Sequence, residues 1–236
     1  MALTPIYGFR YVAPAISRDA TANAAITQTG TGTSLVSPTF STASSTTLIV
    51  VSVGSSAYIT DTQATSVAWT NSTPAGASTF TRQVWNRSSY GNHESSIWTA
   101  TTSQTLSSQG VTVTGLRSAA SQSAGMSVNV LVGASTTMGV SATPLTDNSS
   151  AAISSTLNGV SSGSWIFLAV GGEDQVATPL VAISGTTKEA TGTLGGASPV
   201  LGDTAVNTAG NSGNISVGYS TTALYWWLSI LEIKKQ

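Results

Sequence analysis

Short runs of β-branched and aromatic residues recur along most of the chain between clusters of Gly, Ser, Thr, Asn and Pro, and no segment sustains the 3.6-residue apolar period of a helix. A chain patterned this way can bury its apolar side chains only by pairing strands and stacking the sheets. The pattern predicts strands at residues 47–53, 65–70, 80–86, 94–101, 111–114, 126–132, 164–170, 180–184, 215–219 and 224–233. Loops such as Ser72-Thr73-Pro74-Ala75-Gly76 and Gly195-Gly196-Ala197-Ser198-Pro199 separate them. The expectation is an all-β fold with very little helix: an antiparallel β-sandwich of two packed sheets, jelly-roll-like in topology. Asn158-Gly159 reads either as a two-residue hairpin turn or as an ordinary loop.

Composition then limits the surface. Only 7% of the 236 residues are charged, against roughly 25% in an average globular protein, so Ser, Thr, Asn, Gln and Gly must cover the exterior. Neutral, hydroxyl-rich surfaces suit broad contact with other protein copies, because few charges are desolvated on docking. With 8 Lys and Arg against 9 Asp and Glu, and no basic run beyond Lys234-Lys235, the footprint of a duplex nucleic-acid binder is missing. There is no cysteine, which excludes disulfides and thiolate metal sites. The first ten residues lack the basic start and apolar stretch of a secretory signal, and the apolar stretch around residues 223–231 is too short to span a bilayer. An exposed-type β-protein without an export address fits a virion protein, assembled in a host cytoplasm.

The chain divides into residues 1–46, expected as an extended N-terminal arm, and residues 47–236, expected as the sandwich domain. Residues 20–45 are mostly Thr, Ser, Ala and Gly, whereas Ile6, Tyr7, Phe9, Tyr11 and Ile16 stand out as apolar anchors interrupted by Pro5 and Pro14. Two readings of the arm stand: it clamps a neighbouring protein through those five side chains, or it folds back as an edge strand on its own domain.

Sites for catalysis are scarce. His93 is the only histidine and would have to be the base of any Ser-His-Asp mechanism, yet Tyr90-Gly91-Asn92-His93-Glu94 reads as a wet hairpin tip. Glu173-Asp174 is the only adjacent acidic pair; on a strand its members would face opposite ways, and in a loop they read as a solvated turn before a Ca²⁺ site. No phosphate-binding loop, zinc spacing or HExxH sequence occurs. The expectation is no enzyme, no catalytic residues, no metal and no cofactor.

The most informative local piece is residues 80–101. A turn centred on Tyr90-Gly91 places Val84 opposite Ile97 and Arg87 opposite Glu94, and puts Trp85 and Trp98 on one face as diagonal neighbours. The two indoles are either core or, with Tyr90 and His93, a glycan-stacking platform. Trp226 and Trp227 are consecutive and face opposite ways, so one of them must cover a second surface.

The succession Val84-Trp85, Glu94-Ser95-Ser96-Ile97-Trp98-Thr99-Ala100, Val111-Thr112-Val113-Thr114, Gly163-Ser164-Trp165-Ile166-Phe167-Leu168-Ala169-Val170 and Trp227-Leu228-Ser229-Ile230-Leu231-Glu232-Ile233 resembles β-sandwich modules of tailed-phage structural proteins. The resemblance covers about residues 47–236. It implies a jelly-roll-like module on a virion, a capsid decoration (cement) protein or a minor tail or fibre component. It further implies self-association as a homotrimer and contact with other virion proteins such as the major capsid protein. A carbohydrate- or receptor-binding module that engages a cell-surface glycan is the rival expectation.

Overall fold

The computed structural model describes residues 14–30, 33–56, 65–87, 93–116, 123–173, 185–191 and 200–236. Its strands are β1 (Ser17–Arg18), β2 (Ile26–Gly30), β3 (Ser34–Val36), β4 (Thr47–Ser56), β5 (Ser66–Trp69), β6 (Thr81–Arg87) and β7 (His93–Thr102). They continue as β8 (Val111–Thr114), β9 (Ser123–Val132), β10 (Ala134–Ala142), β11 (Leu145–Glu173), β12 (Thr186–Thr191) and β13 (Val200–Lys235). All pairing is antiparallel, and no helix occurs among the described residues. The expected all-β sandwich is what the chain forms.

The central sheet runs β1-β9-β4-β7-β6, with β2 also on β9; a small sheet runs β3-β8-β5; an outer sheet is built on β10-β13-β11, with β12 on β13. β4 explains the stacking. Leu48, Ile49, Val50 and Val51 are consecutive and all buried, as a strand covered on both faces requires. Ile49, Val51 and Val53 pack with Met126, Val128, Trp98 and Val113 between the central and small sheets. Leu48 and Val50 point the other way, onto Phe167, Ala169 and Leu231 of the outer sheet. The central sheet is therefore the middle layer of a stack, where two packed sheets had been expected.

β11 and β13 add a further layer. They form one antiparallel ladder from Leu145↔Trp227 to Glu173↔Val200, and β13 then returns so that Trp165↔Ile233 and Glu173↔Tyr225 pair on the other side of β11. The distal part of this ribbon folds onto the sheet that carries it, burying Ile153, Leu157, Val217 and Tyr219 against Leu168, Val170, Trp226 and Leu228. Gly159, at φ 75°, lies within this ladder. Asn158-Gly159 is thus a bend in a continuing ribbon and not the hairpin turn.

From residue 14 onward, the segment expected as an arm is part of the fold. β1 and β2 pair with β9, and β3 pairs with β8. Ile16 is buried in the same cluster as Leu48, Leu131 and Phe167. This corrects its assignment as a partner anchor: a side chain filling its own core is not available to a neighbour's groove. Asp19 organises the segment. Its buried carboxylate accepts the N–H groups of Thr21 (2.9 Å), Ala43 (2.8 Å) and Ser44 (2.8 Å), tying the polar loop to the start of β4. Ile6, Tyr7, Phe9 and Tyr11, the predicted strand 180–184 and Asp174 lie outside the described residues.

Candidate functional site

The register predicted for residues 80–101 is the one observed, with Val84↔Ile97 and Arg87↔Glu94. A bulge between Arg82 and Val84 interrupts the pairing and re-aims the side chain of Arg82. Its guanidinium carbon stands 4.4 Å from the ring centre of Trp85 and 5.5 Å from that of Trp98. Trp98 is 9% exposed and belongs to the core, with Nε1 donating to Ser96 Oγ at 2.9 Å. Trp85 is 38% exposed. The two indoles thus divide the readings between them: Trp98 is core, Trp85 is surface, and Arg82 joins the two.

His93 does not join this platform. It is buried and stacks on Trp227, with ring centroids 4.9 Å apart and planes 14° from parallel, inside the contact between β7 and β13. Tyr90 lies outside the described residues. Of the expected glycan-binding set, Trp85 and Trp98 are brought together, and His93 is placed in the interlayer. Arg82 was not singled out in the sequence, because a bulge that brings it over the rings leaves no periodic signature.

The carboxylates turn inward. Besides Asp19, Glu232 is fully buried and accepts the N–H of Val140 (2.8 Å), the N–H of Ser161 (2.7 Å) and Ser164 Oγ–H (2.7 Å), fastening the ribbon to β10. Glu189 receives Arg18 (2.7 Å) and the Asn129 amide (2.9 Å). Burial pushes its carboxyl up, against the pull of the Asn129 and Arg18 hydrogen bonds. Glu94 accepts the Thr65 hydroxyl and N–H, and Asp203 lies 3.8 Å from Lys188 Nζ. For Asp19 and Glu232, desolvation works to raise the pKa, but the donated hydrogen bonds outweigh it and hold both below the ordinary carboxylate range. Each of these groups serves as a ligand for the fold.

No group of three or more His, Cys, Asp or Glu side chains that could hold a metal ion occurs among the described residues. An open groove of about 360 Å³ between the 21–26 loop and Phe40 is lined by Ala, Thr, Ser, Asn and Ile with no titratable side chain, so it offers no acid or base. Searches against protein-family models, curated proteins and solved structures return no match.

Proposed function

We propose that the protein is a non-enzymatic structural component exposed on a phage particle, with capsid decoration ahead of a tail or fibre role. The observation that supports this is the disposition of charge. The five acidic side chains described, Asp19, Glu94, Glu189, Asp203 and Glu232, are all committed to internal hydrogen bonds or ion pairs. Among the described residues, what remains outside is largely neutral hydroxyl and amide, a surface with few charges to desolvate on broad contact. Its partners in this reading are further copies of itself, as a homotrimer, and the major capsid protein, with Ile6, Tyr7, Phe9 and Tyr11 as the proposed partner anchors.

The test is immunogold labelling of particles with antibody to this chain. Label on heads supports decoration; label on tails moves the assignment to a tail component; unlabelled particles remove the virion reading. Sedimentation of the purified protein reads its association state, and co-sedimentation of a variant lacking residues 1–13 with particles lacking the protein reads the anchors.

A second reading is favoured by one observation. Trp85 is a large aromatic left 38% exposed beside a fixed guanidinium, which suits a carbohydrate-binding module. Glycan binding lost in Trp85→Ala without loss of fold would support it.

A further inference from the structure

We propose that the Arg82–Trp85 platform recognises an acidic sugar, a uronic or sialic acid unit of a polysaccharide, with its carboxylate on the guanidinium and its ring against the exposed part of the indole that the guanidinium does not cover. The inference rests on the glycan reading of Trp85 and adds the charge of the ligand.

Three features carry it. First, Arg82 is held in place. Its guanidinium carbon is 4.4 Å from the Trp85 ring centre and 5.5 Å from that of Trp98, so part of its ordering cost is met before any ligand arrives. A guanidinium carries its N–H donors in its own plane, in the fork that matches a carboxylate. Second, Arg82 has no acidic partner within ion-pair distance among the described residues, where the ion pairs are Arg18–Glu189 and Lys188–Asp203. Glu94, the acid on the neighbouring strand, is turned onto Thr65. A neutral sugar would leave this cation unmatched, whereas an acidic one completes it. Third, the indole beside it is exposed on what is, among the described residues, an edge strand, since β6 stands last in the central sheet. An extended polysaccharide can lie across such a rim without entering a pocket.

The experiment is calorimetric titration of the full chain at low salt. The acidic probes are oligogalacturonate and sialyllactose; the neutral counterparts are cellohexaose and lactose; polyglutamate serves as an anion without a sugar ring. The expected result is saturable binding to at least one acidic probe that weakens as salt screens the charge. That binding should fall by about tenfold or more in both Trp85→Ala and Arg82→Gln, judged on variants whose circular dichroism and melting match the parent. Arg82→Lys, which keeps the charge and loses the fork, should recover part of the loss and guards against misreading a folding defect in Arg82→Gln. Polyglutamate binding as tight as the sugars, or binding indifferent to Trp85→Ala, overturns the proposal in favour of plain charge attraction. Neutral sugars bound as well as acidic ones overturn the anionic specificity and leave the glycan reading intact. Binding to none of the five overturns both.

Discussion

The imidazole of His93 lies flat against the indole of Trp227, one on the central sheet and the other on the outer sheet, with centroids 4.9 Å apart. Beside them Ser95 and Ser229 exchange a hydroxyl contact at 2.9 Å. The single histidine is thus part of the seam between layers. His93→Ala should destabilise the protein by about 1–3 kcal/mol, through the lost stacking and the cavity it leaves. Chemical denaturation should show a lower midpoint.

Asp19 and Glu232 contribute to the acid limb of stability. Their folded-state pKa values lie below the ordinary carboxylate range, so their stabilisation is complete above the unfolded-state values of about 4 and is lost as pH falls through the folded ones. Asp19→Asn should lower stability at neutral pH by about 1–3 kcal/mol and flatten the decline on acidification. Denaturation midpoints measured from pH 7 down to pH 2 check both slope and sign.

At Gly54 and Gly171 the central and outer sheets approach too closely for a side chain. A Cβ on Gly54 would strike the Val170 carbonyl, and one on Gly171 would strike the Ser55 and Glu94 carbonyls. These are backbone atoms that cannot step aside. Either Gly→Ala change should cost about 3 kcal/mol or more, while the same change at Gly30, where a Cβ meets only the end of the Leu35 side chain, should cost less. Thermal melts of the three variants give the order.

Gly139 makes room for the Glu232 carboxylate, so Gly139→Ala should displace it and release its bonds to Val140 and Ser161. The expected outcome is faster amide exchange in β10 and around Ser161 with little change in β4, read by hydrogen exchange.

A truncation removing residues 1–45 should fail to fold. It deletes β1, β2 and β3, the core residues Ile16 and Leu35, and the Asp19 staple. Circular dichroism and solubility of the truncated chain provide the check.

Legibility in the sequence followed the density of apolar side chains. β4, β7 and β8 were readable because Leu48–Val51, Ile97 and Trp98, and Val111 and Val113 stand in dense β-branched and aromatic runs. β1, β2, β3, β10 and β12 were not, since each offers few apolar anchors, β1 none, and owes its place to pairing with other strands. Of the distal ribbon, residues 215–219 were legible as a strand, whereas the facing part of β11 was hidden, since among Ser, Thr and Asn it offers few apolar side chains besides Ile153, Leu157 and Val160. At the site, the β6–β7 register followed from a turn centred on Tyr90-Gly91, but the bulge that delivers Arg82 to Trp85 did not.

The middle position of the central sheet has a consequence for the lifetime of the native state. β4 must find β9 across more than sixty intervening residues, and its two faces are closed by sheets that include long-range pairings of their own, such as Leu35↔Val113 and Ala134↔Lys235. Such a strand gains little from partial folding, so the native state is reached slowly. The same closure leaves no local fluctuation that frees β4 while its covers stay docked. Its amides should exchange only through global opening, and the working life of the molecule is then set by an unfolding barrier more than by an equilibrium.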